Sequence, residues 1–203
     1  MDITTPEQLR EIVGHPHPTV VEKVRPSLHR VHIAWLTACP MVFLATSDAG
    51  GRLDVSPKGD PAGKVVHVID DRHIAIPERP GNKRVDGYLN VLENPHVGTI
   101  AVIPGRGDTL RINGAARIVD DADYFDDLAV KGQRPILALE VEVEEVFFHC
   151  SKAFLRSDLW RPDTWTPDAL PSTAKITKAV LPELDEAELE KAFEETEFRK
   201  WLY

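Results

Sequence analysis

Cysteine is scarce in this 203-residue chain, which holds only Cys39 and Cys150. They lie far apart, each beside apolar residues, and no spacing matches a redox motif or a metal-ligand cluster. No metal is therefore expected, and the pattern reads as two buried thiols in a reducing cytoplasm. Also missing is any apolar run near the ~20 residues that a membrane helix needs. The opening residues MDITTPEQLREIVG are acidic and amphipathic, unlike a signal peptide. The expectation is a cytoplasmic protein with no membrane partner. Positive charge is in deficit: 24 Lys+Arg face 33 Asp+Glu, for a formal net charge of −9. That balance argues against a nucleic-acid partner, which needs a basic face.

Other signatures are absent as well. There is no internal repeat. Gly105-Arg106-Gly107 lacks the third glycine of a dinucleotide fingerprint and lies between two expected strands, so it reads as a hairpin turn. No nucleophile motif surrounds Cys150 or Ser151. What is present is an ordinary globular composition, 42% hydrophobic, too apolar for a disordered chain. A chain of this length buries about 70% of its extended surface and needs no disulfide to fold.

The apolar periodicities predict three parts. Residues 1–38 form a helical segment. In its first helix Thr5 is the N-cap, Gln8 completes a capping box and Gly14 ends the helix. His15-Pro16-His17-Pro18 is a stiff connector, and Ser27–Thr37 a packed helix. Residues 39–160 form the main domain. Strands are expected at Met41–Ser47, Arg52–Ser56, Val65–Ile69, His73–Ile76, Val97–Ile103, Thr109–Val119 and Ile136–Phe148. Helices are expected at Arg84–Glu93, Asp120–Val130 and Ser151–Trp160. Residues 161–203 comprise a proline-rich linker and one amphipathic helix, Leu181–Tyr203, with Leu184, Leu189, Phe193 and Trp201 on its apolar side. Short strands joined by hairpin turns, with few helices between them, indicate an antiparallel barrel of the mainly-β class with peripheral helices.

One region departs from the acidic average. Lys58 follows a strand in Ser56-Pro57-Lys58-Gly59-Asp60, and the run Pro77-Glu78-Arg79-Pro80-Gly81-Asn82-Lys83-Arg84 bridges a strand and a helix. A helix N-terminus offers free N–H groups and partial positive charge. With Lys, Arg and a glycine beside it, such a bend suits a phosphate monoester; the alternative is a solvated basic turn. Arg111 and Asn113 alternate with Leu110 and Ile112. They are either exposed sheet residues or polar contacts to a ligand on the barrel wall. His149 and Lys152, at the end of the last strand, are candidates to meet an anionic substrate. His67 and His73 read as structural.

Taken in order, SPKGDPAG, IPERPGNKRVD, NPHVG, DTLRINGAARI and EVFFHCSKAFLRSDLW resemble the pyridoxamine 5′-phosphate oxidase-like, FMN-binding split-barrel family. They most resemble a subgroup of FMN-dependent enzymes within it. The resemblance runs from about Pro40 to Trp160. It implies a six-stranded antiparallel split barrel, a homodimer with FMN in the groove between subunits, and an oxidoreductase acting on a small organic substrate. It also leaves open a non-catalytic module that holds a flavin or deazaflavin. By the same resemblance Lys58 reaches the phosphate, and Lys83 and Arg84 stand where the family has an Arg-Lys pair. Arg79 and Asn82 complete that loop beside Pro77. Ser56, Pro57 and Gly59 run along the isoalloxazine edge, and Arg111 and Asn113 reach the cofactor from the second subunit. The vitamin oxidases end in an Arg- and His-bearing substrate motif. Here the barrel ends in FFHCSKAFLRSDLW and an acidic tail, so pyridoxamine phosphate is not the expected substrate.

Overall fold

The computed structural model describes residues 2–203; the side chain of Trp201 lies outside the described residues. Seven antiparallel strands form one curled sheet in the order β2-β1-β5-β6-β7-β4-β3. They are β1 Met41–Ser47, β2 Leu53–Gly59, β3 His67–Val68, β4 His73–Glu78, β5 His96–Val102, β6 Thr109–Val119 and β7 Leu137–His149. Six are the expected barrel strands. The seventh, β3, is a two-residue remnant of the predicted Val65–Ile69 strand, because Val65 and Val66 turn into the core instead of pairing.

The β6–β7 ladder is the longest, and its register shifts between Asn113 and Gly114. Asn113 opposes Glu145 and Gly114 opposes Val143, so Glu144 is the extra residue of a β-bulge. The bulge explains the pattern of β7. Val141, Val143 and Val146 are all buried although two glutamates stand in a row between the last two. A Cβ on Gly114 would lie 1.9 Å from the Glu142 carbonyl oxygen, so only glycine lets the strands approach there. The core lies inside the curl: Val42, Leu44, Ile74, Ile76, Leu110, Ile112, Leu139 and Val141 pack beneath Trp35 and Leu36 of the helix Arg30–Ala38.

The helices need more revision than the strands. The capping box of α1 (Pro6–Val13) forms as expected. The His-Pro connector leads straight into a short helix, α2 (Pro18–Glu22), capped by the His17 ring, and α3 (Arg30–Ala38) begins at His29 rather than Ser27. Helix α4 (Asp86–Glu93) starts two residues late because Val85 takes a left-handed conformation, φ 49°. The predicted helix Asp120–Val130 is a single 3₁₀ turn, Asp123–Phe125, whose Phe125 plugs the sheet. The predicted helix Ser151–Trp160 shortens to α5 (Lys152–Arg156), and Asp158 at φ 49° prevents its extension toward Trp160.

The predicted helix Leu181–Tyr203 is two short α-helices, α7 (Glu186–Ala192) and α8 (Glu195–Phe198), and a helix that was not expected, α6 (Thr173–Val180), precedes it. Pro182 lacks the N–H that would continue α6, and Asp185 caps a new helix by accepting from the Glu188 N–H at 3.0 Å. Of the two thiols, Cys39 is buried as expected. Cys150 is exposed, because it lies just beyond the end of β7.

Candidate functional site

Strand β2 lies at the sheet edge and pairs only with β1. Its outer backbone groups are therefore free to bond something other than a strand. Within β2, Asp54, Ser56 and Lys58 turn toward the sheet's inner side, while Leu53, Val55 and Pro57 face outward. Opposite this edge, β4 ends at Glu78 and the chain runs through Arg79-Pro80-Gly81-Asn82-Lys83-Arg84 before α4 begins. The space between is a cleft of about 410 Å³, lined by Ser56–Asp60, Pro77–Asn82, Leu202 and Tyr203. A second hollow of about 310 Å³ adjoins it, sharing Ser56, Lys58, Glu78 and Asn82 and adding Arg84 and the first turn of α4. Both sizes suit a small ligand.

Side chains in the cleft are tightly paired. Lys58 Nζ lies 2.5 Å from Glu78 Oε2, with both side chains largely buried. The Tyr88 hydroxyl donates to the same oxygen at 2.8 Å, and Lys58 Nζ stands 5.0 Å over the Tyr88 ring. Burial first, then the Glu78 charge, pushes the Tyr88 phenol far above its ordinary value. Arg79 Nε donates to Asp60 Oδ2 at 2.8 Å, and its Nη2 donates to the Leu128 carbonyl at 2.7 Å. Its Nη1 is buried without a partner. Arg84 pairs with Asp86 at 2.7 Å on the surface. Lys83 has no ion pair among the described residues.

The loop holds its shape under strain. Lys83 and Val85 both adopt left-handed φ, 62° and 49°, where a β-branched residue such as Val is a rare occupant. Val85 makes no side-chain cap, so the first N–H groups of α4 are left for other partners.

The expected site residues thus divide. Ser56, Pro57, Lys58, Gly59, Pro77, Arg79, Asn82 and Arg84 line the two adjoining hollows, with Lys83 on the rim loop. Arg111 and Asn113 lie elsewhere, on the outer face of the sheet. There Arg111 stands over the Phe147 ring at 5.0 Å and Asn113 donates to Glu145 at 2.9 Å. His149 and Lys152 line neither hollow. Sequence reasoning passed over Asp60, Glu78, Tyr88 and Tyr203. The first two sat inside the basic runs, Asp60 after Lys58-Gly59 and Glu78 before Arg79, and each pairs with a cation of the other run. Tyr88 read as a core position of α4, and nothing local tied Tyr203 to Asp60.

An antiparallel split barrel whose edge strand borders a loop rich in cations defines a recognisable class of protein. A family model described as pyridoxamine 5′-phosphate oxidase matches residues 28–150, more than half the chain, and the protein belongs to that family. Among solved structures, a candidate pyridoxamine 5′-phosphate oxidase from Lactobacillus delbrueckii is 26% identical; 61% of this chain and 95% of that one are covered, with a TM-score of 0.47. HupZ of Group A Streptococcus is 18% identical, covering 60% and 93%, TM-score 0.47. An F420 reductase is 18% identical, covering 60% and 98%, TM-score 0.43. No curated protein matches the sequence. No helix among the described residues is long and apolar enough to cross a membrane.

Proposed function

We propose that this protein binds FMN in the cleft between β2 and the 79–84 loop, as a homodimer, and acts as an oxidoreductase on a small organic molecule. The observation that carries the reading is the meeting of two features. The free backbone edge of β2 borders the strained loop, which brings Lys58, Arg79, Lys83 and Arg84 to one rim. The residues fit the group. Among the described residues Lys83 has no ion pair, no side chain caps α4, and Arg79 keeps a buried donor without a partner. A phosphate monoester supplies the acceptors that all three lack.

Lys83 and the start of α4 hold the phosphate, and Lys58 supports it from the cleft floor. Backbone groups of Ser56 and Gly59 orient the edge of the ring. When bound, the flavin supplies hydride or electron transfer, and the protein contributes binding, orientation and hydrogen bonds.

The homodimer rests on the outer face of the sheet. Phe43, Leu53, Val55 and Ile100 are all exposed there: Phe43 pairs with Ile100 on one side and Pro57 on the other, and Val55 and Leu53 continue along the edge strand opposite Ala45 and Ser47. A contiguous apolar face of this kind is a mark of association. Arg111 and Asn113 share that face, so in a dimer they face a second copy of the chain. Two unpaired thiols, one of them exposed, suit a reducing cytoplasm.

The test is the visible spectrum of the purified protein, with mass analysis of what it releases on denaturation. The expected result is a yellow protein that releases FMN. Lys83→Ala with Arg84→Ala should lose the flavin and keep the fold, since each charge-assisted bond is worth roughly 1.5–3 kcal/mol. A colourless protein that ignores both added FMN and added deazaflavin overturns the reading. Bound flavin that, once reduced, reacts with neither oxygen nor organic acceptors identifies a holding module instead of an enzyme.

A further inference from the structure

In the candidate cofactor cleft three of the four cations are matched by carboxylates. A different cavity has the opposite character. Where the segment before α3 crosses the end of β7, a groove of about 680 Å³ is lined by Lys23, Arg25, Leu28, His29, His32 and Phe148, among others, with no carboxylate in its walls. Among the described residues none of its four basic side chains is ion-paired. In a chain of net charge −9 the groove gathers these unpaired basic side chains around one aromatic ring.

The groove is built rather than loose. Arg25 is anchored by two backbone hydrogen bonds with Val146, at 3.0 and 2.8 Å, while its guanidinium has no protein partner. Lys23 Nζ donates to the Phe148 carbonyl at 2.6 Å, which uses one of its three N–H groups. His29 Nδ1 accepts from the Val31 N–H at 3.5 Å, and His32 Nδ1 accepts from the His29 N–H at 3.1 Å. An imidazole that accepts at Nδ1 carries its hydrogen on Nε2 when neutral. Both rings therefore offer an N–H donor without needing a second proton. Burial, and then the neighbouring His29 and Arg25 charges, favours neutral His32. The floor is aromatic: the Phe148 ring lies 5.2 Å from His32 and 5.3 Å from Trp35.

We infer that this groove is a second binding site, for a small organic anion with a flat apolar body, such as an aromatic carboxylate or an aryl phosphate. The charged end meets Lys23, Arg25 and the Nε2–H donors, and the ring lies against Phe148. The site shares no lining residue with the cofactor cleft, so it stands whether or not the cleft holds FMN.

The experiment titrates the full chain, as purified, with benzoate, phenyl phosphate, inorganic phosphate and benzyl alcohol, following the imidazole proton resonances of His29 and His32. His29→Gln assigns the signals. Benzoate and phenyl phosphate should give saturable shifts, inorganic phosphate weaker ones, and benzyl alcohol none. Arg25→Gln, whose side chain makes no hydrogen bond or ion pair among the described residues, should weaken aromatic anions by roughly tenfold or more. Its circular dichroism and flavin content should stay unchanged. The inference is overturned if no saturable shift occurs below about 10 mM anion. It is equally overturned if Arg25→Gln binds as wild type, or if inorganic phosphate binds as tightly as phenyl phosphate. Loss of flavin in Arg25→Gln would show that the groove serves the cofactor, and would overturn the claim of a second site.

Discussion

Tyr203 donates its hydroxyl to Asp60 Oδ1 at 2.9 Å, across 143 residues of chain, while Arg79 holds the other oxygen of the same carboxylate at 2.8 Å. The arrangement recurs. Glu78 lies between Lys58 and Tyr88, and Glu140 lies between Arg117 and Tyr124. All three tyrosines of the protein thus donate to a carboxylate that also faces a cation. A carboxylate held by two donors, through both oxygens in Asp60 and Glu140 and through Oε2 alone in Glu78, has its rotamer restrained, which makes each triad a strut. Two of the three struts form walls of the candidate cofactor cleft.

These phenols should not titrate normally. Burial first, then the bonded carboxylate, raises the pKa of Tyr88, Tyr124 and Tyr203 alike. In Tyr203 the nearby Arg79 offsets only part of the rise. A raised pKa means the folded state keeps protons that the unfolded state loses. The associated stability is complete below about pH 10, the ordinary tyrosine value, and is lost as pH rises beyond it. In a spectrophotometric titration of phenolate absorbance, Tyr88 and Tyr124 should give no step before alkaline unfolding followed by circular dichroism, and the step of Tyr203 should lie above the ordinary value near pH 10. A resolved step near pH 10 in still-folded protein would refute this account of the triads.

What the sequence revealed, and what it hid, follows from the range of each interaction. The strands were legible because Val141 and Val143, or Leu110 and Ile112, announce a buried face within a few residues. The cations at 79–84 were legible because they are contiguous. Helix limits failed where a single backbone conformation decided them, at Val85 and Asp158, since neither residue type advertises a left-handed φ. The tail read as one helix because its charge pattern runs on from Leu181 to Tyr203, although the cap at Asp185 delays the start of α7 and the chain breaks again at Phe193 and Glu194. The neutralising acids stayed hidden because each pairs with a cation of the other run, Glu78 with Lys58 and Asp60 with Arg79, and Tyr203 because no local pattern encodes a contact so distant in sequence.

Gly114 should be intolerant of any side chain. The Cβ of Gly114→Ala would lie 1.9 Å from a backbone carbonyl oxygen, where no rotamer change brings relief. The bulge that lets β6 and β7 curl together would have to open. The expected destabilisation is about 3 kcal/mol or more, which in a protein of this size lowers Tm by roughly 6–12 °C. Gly105→Ala gives a contrast: its φ of 81° imposes strain, but nothing lies within 4 Å. It should cost only about 1 kcal/mol. Thermal denaturation of both variants checks the difference.

The two thiols should react on separate timescales. Cys39 is fully buried; its Sγ donates to the Met41 and Val102 carbonyls, and burial raises its pKa. Cys150 is exposed. A thiol reagent that reports thiolate should be consumed to one equivalent at once and to a second only on denaturation. Cys150→Ala should remove the fast equivalent and leave flavin content intact. Two fast equivalents would mean that Cys39 is not where the fold places it.

The outer sheet face supplies the sharpest check on assembly. Leu53 is 78% exposed and Val55 62%, both on the edge strand, and the Phe43–Ile100 pair on the next two strands is 41% exposed at each residue. Burying one such side chain at an interface is worth roughly 1.5–3 kcal/mol, and replacing it with a charge adds a desolvation penalty. Val55→Lys should therefore shift the protein from dimer to monomer by light scattering. Its intramolecular stability should hardly change, because within one chain the Val55 side chain already lies in solvent. If Arg111 and Asn113 reach the cofactor from the second copy, the same variant should weaken FMN binding although it lies outside the 79–84 loop. A Val55→Lys protein that stays dimeric would place the interface elsewhere. One that becomes monomeric yet keeps full FMN affinity would show that a single chain completes the site.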